Sequence, residues 1–326
     1  MTAPPLIEAR ALSRNFPTRK GIFGRPQDVW AVNAVDLQIH RGEAVGVVGE
    51  SGCGKSTLGR LMLGLLSPSK GAAVFDGRDL SSVAGRERRK LRRRMQMIFQ
   101  DPYGSLDPRR AVGAQIADGL RTHDILPRNE IPDEVRRLLD QVGLDAAAAA
   151  RRPHEFSGGQ RQRIAVARAL STRPDFIVAD EPVSALDVSI QAQVVNLLAD
   201  LRARLDLAML FISHDLHVVR HLSDRLVVMY LGRVVEEGPS AEVFSSPAHP
   251  YTRALLDATP SMTRGQLARR PVLQGDLPSP ANPPSGCAFR TRCPIASIEC
   301  AQAVPELAPY GSTRRVACIK AGEQTT

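Results

Sequence analysis

The stretch Gly49, Glu50, Ser51, Gly52, Cys53, Gly54, Lys55, Ser56, Thr57 constrains this chain more than any other. It fits the pattern G-x-x-x-x-G-K-[ST]. Ala44-Val-Gly-Val-Val48, a run of strand character, stands before it, and Leu58 to Leu66, with apolar residues at helical spacing, follows. Strand, glycine-rich turn and helix in that order make a phosphate cradle. The glycines let backbone N–H groups turn onto phosphate oxygens, and the helix N-terminus adds partial positive charge. Lys55 is expected to reach the β- and γ-phosphates and the Ser56 hydroxyl to sit on Mg²⁺. The pattern predicts a nucleoside triphosphate site in an α/β fold. Cys53, in a free position of the pattern, reads as a small buried residue.

At 326 residues the chain is long for one domain, so a main domain with an appendage is expected. Apolar content of 43% is ample for a core. No apolar run has the length to span a bilayer and the first residues lack a signal-peptide pattern, so a soluble chain is expected, reaching a membrane only through a partner. A formal charge of +9 suits nucleic acid and an anionic membrane surface equally well. Five cysteines in such a chain argue for thiols or metal ligands rather than disulfides.

Residues 6–16 and 29–39 read as two strands around a basic loop, the second with Val32, Ala34, Asp36 and Gln38 alternating against Asn33, Val35, Leu37 and Ile39. Phe16 ends the first strand either as a stacking platform for a purine ring or as a core aromatic; Trp30 is a second candidate for the platform. Residues 71–77 read as strand and turn, and Arg86 to Arg94 as a basic helix face in solvent. Met95 to Phe99 is a short strand that delivers Gln100, which can coordinate Mg²⁺ or the attacking water. Residues 111 to about 150 are helical in pattern, with the alanines 146–150 as helix end or filler.

Phe156-Ser-Gly-Gly-Gln160 opens a helix. Ser157 reads as its N-cap or, with Gly158 and Gly159, as a second anion site at a helix N-terminus. Phe176 to Ala179 is a buried strand ending in Asp180, expected to hold Mg²⁺ through water, and Glu181, expected to act as general base. Leu207 to Ser213 is another strand and delivers His214, which can donate to the γ-phosphate.

These motifs, in this order, resemble those of ATP-binding-cassette (ABC) ATPase subunits over residues 6 to about 260. Residues 49–57 match the Walker A loop, Gln100 the Q-loop, and Ser157, Gly158, Gly159 and Gln160 the signature loop. Phe176 to Asp180 match Walker B with Glu181 as catalytic carboxylate, Ser184 to Asp187 the D-loop, and His214 the switch histidine; Phe16 falls where the adenine-stacking aromatic is expected. The resemblance implies a P-loop NTPase core with an antiparallel β subdomain and a helical subdomain at about 101–165. It implies ATP and Mg²⁺ as ligands and two cassettes paired head to tail, Asp187 and the signature loop of one closing on the ATP of the other.

After a hairpin over 227–238 and a short helix at 240–244, His249-Pro-Tyr251 and a Pro-rich stretch lead into a C-terminal extension, 261–326. His-Pro-Tyr and a cysteine-bearing tail are similar to the oligopeptide/dipeptide import subfamily, and residues 101–109 resemble the second of its two cassette types. The implied partners are a sibling ATPase in a heterodimer, two membrane-spanning permeases and an extracytoplasmic solute-binding protein, with the chain peripheral on the cytoplasmic face and no nucleic acid. A soluble cassette acting on nucleic acid or ribosomes, and an exporter cassette, are the alternatives. Cys287, Cys293, Cys300 and Cys318, spaced C-x₅-C-x₆-C-x₁₇-C, could hold a [4Fe–4S] cluster or zinc, or be reduced thiols. Resemblance to subfamily members that carry a cluster favours the [4Fe–4S] expectation.

Overall fold

The structure, a computed structural model, describes residues 4–19, 26–258 and 275–321. Strands β1 (Ile7–Arg19) and β2 (Pro26–Ile39) pair antiparallel and run further toward their loop than the apolar alternation predicts. Backbone pairing such as Thr18 with Gln27 carries the ladder on where no apolar side chain marks it. Val35, Leu37 and Ile39 are buried as predicted, but so is Val32, which strict alternation puts on the other face. Register shifts near Leu12 and a left-handed Ala34 (φ 52°) bulge the pair and re-aim Val32 inward. With β4 (Lys70–Phe75) and β5 (Arg78–Asp79) these strands form an antiparallel sheet of order β2-β1-β4-β5.

The second sheet begins with β3 (Ala44–Val48), which leads into α1 (Lys55–Met62). The basic run forms α2 (Gly85–Arg94), which buries only Leu91, as a solvated face should. Then come β6 (Met95–Ile98) and a helical part: α3 (Pro102–Ser105), α4 (Val112–Thr122), α5 (Ile131–Gln141) and α6 (Gly158–Leu170). The alanine run is a 3₁₀ turn capped by the Asp145 carboxylate, which accepts from the Ala147 N–H. Beyond it lie β7 (Phe176–Asp180), α7 (Val188–Leu205), β8 (Ala208–Ile212), α8 (Leu216–Leu222), β9 (Arg225–Tyr230) and β10 (Arg233–Pro239). The order closes with α9 (Ser240–Ser245), α10 (Pro250–Ala258), β11 (Ala308–Tyr310) and β12 (Arg314–Val316).

Strands run β11-β12-β10-β9-β3-β8-β7-β6, and the five from β9 to β6 are mutually parallel. Val45 and Val47 of β3 face the core under α1 and the antiparallel sheet, whereas Ala44 and Val48 face the core shared with the helical part. Coverage on both faces explains why β3, β7 and β8 read as unbroken apolar runs. The carboxyl ends of β3, β6, β7 and β8 therefore share one edge, where ligands of open α/β sheets bind. The tail joins this sheet: β12 pairs with β10 through Glu236 opposite Val316.

Candidate nucleotide site

At that edge the turn from β3 to α1 is held open by glycines no other residue could replace. A Cβ on Gly49 would lie 2.2 Å from the Met229 carbonyl oxygen, and one on Gly54, at φ 105°, 1.9 Å from that of Ala31. Lys55 is buried, its Nζ donating to the carbonyls of Gly49 (2.7 Å) and Glu50 (3.0 Å). Cys53 is buried behind it, as its size suggested, and burial pushes its thiol pKa up.

Parallel register decides the rest. Ile98 of β6 lies opposite Ala179 of β7, and Asp180 opposite Ile212 of β8, so the residues just past each strand end meet. Ser56 Oγ at the start of α1 donates to Asp180 Oδ1 at 2.7 Å. Burial raises the Asp180 pKa, against which Ser56, Arg60 and Lys55 act to keep the carboxylate charged. Glu181 adopts a left-handed backbone (φ 45°), and its Oε2 accepts from Gln100 Nε2 at 3.2 Å and lies 3.3 Å from His214 Nδ1. A non-glycine residue at such a φ is a strained choice, held here by the Glu181 N–H bond to the Ile212 carbonyl. Ser56, Gln100 and Asp180 line one cavity of about 420 Å³ with Arg60 and Arg168. Hydroxyl, amide and carboxylate oxygens are the hard donors Mg²⁺ prefers, so this set fits that ion.

The other predicted residues lie elsewhere. Ser157 caps α6, its Oγ accepting from the Gln160 N–H and the Gln160 side chain accepting from the Ser157 N–H. Gly159 packs so closely that a Cβ would lie 2.3 Å from Ile190 Cγ2. Asp187 is exposed at the N-cap of α7. None of these is hydrogen-bonded to residues 49–57 among the described residues. Phe16 is half-buried, outside the core, with the Arg14 guanidinium 4.9 Å from its ring centroid. Trp30 lies under Lys70 and lines a different cavity, beside the proline-bearing tail.

The expected cluster in the tail is not supported. Cys287, Cys293, Cys300 and Cys318 line one cavity with His249 and Phe289, which encloses only about 10 Å³, the room of a single water. Among the described residues no three Cys, His, Asp or Glu are grouped to hold a metal ion. The cysteines are free, and burial pushes the Cys318 thiol up to about 11.

Two contacts escaped the sequence reading. Glu50 bonds through its N–H to Tyr251 Oη and through its carboxylate to Arg292 of the tail. The partners stand 201 and 242 positions away, so no local spacing signals them.

Comparison with known proteins agrees with this geometry. Residues 32–184 match the ABC transporter family and residues 235–300 the C-terminal region of oligopeptide/dipeptide transporters. The oligopeptide transport ATP-binding protein AppF of Bacillus subtilis is 50% identical over 96% of each chain. The dipeptide transport ATP-binding protein DppF of Haemophilus influenzae is 46% identical over 97% of this chain and 96% of its own. Among solved structures, CbiO1 of Clostridium perfringens aligns with a TM-score of 0.64 at 28% identity, over 74% of this chain and 92% of that one. The cassette MJ0796, solved as a dimer with ADP and Pi, also gives 0.64, at 26% identity over 72% and 98%. This chain belongs to the ABC transporter family, as an ATPase subunit that carries the C-terminal region of the oligopeptide/dipeptide transporters.

Proposed function

We propose that this chain is the ATP-hydrolysing subunit of a membrane importer for di- and oligopeptides or similar small solutes. The observation that carries the reading is the convergence of Ser56 with Asp180, and of Gln100 and His214 with Glu181, beside the loop of Gly49 to Thr57. ATP lies with its phosphates on that loop and its base near Phe16. Ser56, Gln100 and Asp180 would hold Mg²⁺, which supplies charge to offset that building on the phosphate oxygens. Glu181 takes the proton of the attacking water, while Gln100 and His214 hold its carboxylate oxygen in place.

The other half of the site comes from a second cassette. Ser157 and Gln160 are exposed at the start of α6, and Val188 beside Asp187 is 82% exposed, an apolar surface that head-to-tail pairing would cover. The MJ0796 dimer with ADP and Pi supports such a pairing. ATP favours the closed pair because only that state offers both halves of the phosphate site. The partner is a sibling cassette, so the pair is a heterodimer, and it works on the cytoplasmic face with two permeases and an extracytoplasmic solute-binding protein. No described helix is long and apolar enough to cross a membrane, in keeping with a peripheral subunit. A groove of about 520 Å³ between the main sheet and the helical part, with Leu65 and Phe99 partly exposed on its wall, offers a seat for a short permease helix. The names of the Bacillus and Haemophilus relatives support a peptide cargo. Within this reading the four cysteines are packed thiols.

Reconstitution with the permeases in liposomes, a labelled dipeptide and the binding protein inside and MgATP outside, tests the reading. Export of the peptide from the lumen to the ATP side is expected, and Lys55→Ala should abolish it. ATP hydrolysis without any peptide movement would count against the assignment.

A further inference from the structure

Glu50 occupies a position that the phosphate-loop pattern leaves free, yet each of its polar groups is held. Its carbonyl accepts from Lys55 Nζ (3.0 Å) and from the Cys53 N–H (3.2 Å). Its N–H donates to Tyr251 Oη at 2.8 Å. Its carboxylate accepts from both terminal guanidinium nitrogens of Arg292, at 2.7 and 2.9 Å. The Arg292 side chain is only 5% exposed and that of Glu50 23%, so this pair is shielded from the solvent screening that makes surface ion pairs weak. Arg292 projects from a stiff support. Its N–H donates to the Phe289 carbonyl at 2.9 Å, and the Phe289 ring packs 5.4 Å from Tyr230 and 5.3 Å from Tyr251.

We propose that Arg292 is a positioning residue of the nucleotide site, through which the C-terminal tail clamps the phosphate loop in its binding form. The inference rests on residues 49–57 being the nucleotide loop. A loop that must aim successive N–H groups at phosphate loses conformational freedom when the ligand arrives; one held beforehand loses less, and binds more tightly. The clamp fixes the backbone at Glu50, and the Glu50 carbonyl in turn holds the Lys55 ammonium. The tail thus contributes to ATP binding in cis without touching a phosphate. Arginine is the residue for the task, because its planar fork meets both carboxylate oxygens at once.

The test is equilibrium binding of MgATP to the full-length chain, with melting temperatures measured with and without saturating MgATP. Arg292→Gln is expected to weaken binding about tenfold, the scale of one charge-assisted contact. Arg292→Lys, which keeps the charge and loses the fork, should fall between the two. Glu50→Gln with Arg292→Gln should bind no more weakly than Arg292→Gln alone, and the stabilisation MgATP gives should shrink in each weakened variant. Tyr251→Phe keeps its ring among the aromatics and loses only the acceptor for the Glu50 N–H, so it should weaken binding in the same direction even where Arg292→Gln fails to fold. Unchanged affinity in Arg292→Gln, or in Tyr251→Phe where that is the variant that folds, overturns the clamp and leaves the pair as a tie for the tail. An additive loss in the double variant does the same. Wild-type protein that does not bind MgATP overturns the nucleotide reading instead.

Discussion

Glu181→Gln separates chemistry from binding with little disturbance to the fold. Carboxylate and carboxamide have nearly the same shape, so the new side chain fills the space between Gln100 and His214. An amide oxygen in the place of Oε2 can still accept from Gln100 Nε2 and from the Nδ1–H tautomer of His214. The loss is basicity: a carboxamide cannot take the proton of water. General-base catalysis contributes ~10²–10⁴-fold, which at 1.36 kcal/mol per tenfold is roughly 3–5 kcal/mol of barrier. Binding should be spared, because among the described residues no hydrogen bond joins Glu181 to residues 49–57. The assay is single-turnover hydrolysis of labelled ATP by the assembled cassette pair, with equilibrium ATP titration alongside. The expected result is hydrolysis slowed within that range at near-normal affinity, with the closed pair accumulating. Turnover within a few-fold of wild type would refute the general-base assignment. A matching collapse of affinity would refute the separation of Glu181 from the phosphate loop.

Phe289→Ala should destabilise the whole chain by about 3–5 kcal/mol in urea unfolding, since its ring is buried against Tyr230, Tyr251 and His249; a transition confined to the tail would contradict that. His249 accepts from the Tyr251 N–H through Nδ1 and is buried, which lowers its pKa to about 4. The unfolded chain binds the extra proton first, so stability is whole above the unfolded value near 6.5 and falls as pH drops toward 4. The gap is worth on the order of 3 kcal/mol, and His249→Asn should flatten this part of the pH–stability curve measured by urea unfolding. Ser157→Arg should leave MgATP binding by the single chain intact, with the loss of a helix cap costing about 1 kcal/mol. ATP-driven pairing, read by light scattering, should disappear; pairing that survives would place the signature loop outside the interface.

The phosphate loop, the strand that feeds it and the strand-end residues Gln100, Asp180, Glu181 and His214 were all legible in the chain. Local rules suffice there: glycine where the backbone needs a left-handed or crowded turn, an apolar run where a strand is buried on both faces, and a polar residue where it ends. Sequence also marked Ser157 as a helix cap, because the capping box spans only four residues. Which of these residues meet was decided by the parallel order β8-β7-β6, a long-range pairing that sets Gln100 and His214 on one oxygen of Glu181. The bulge that turns Val32 inward was hidden for the same reason: the period-two rule holds only while the register does. The cysteine spacing suggested a cluster, but spacing cannot report how the folded tail sets the four side chains relative to one another. The clamp on Glu50 joins residues more than two hundred positions apart, and only the packing of the tail against the main sheet brings Arg292 to the loop. Short-range chemistry is written in neighbouring residues; contacts closed across a whole sheet exist only once the chain has folded.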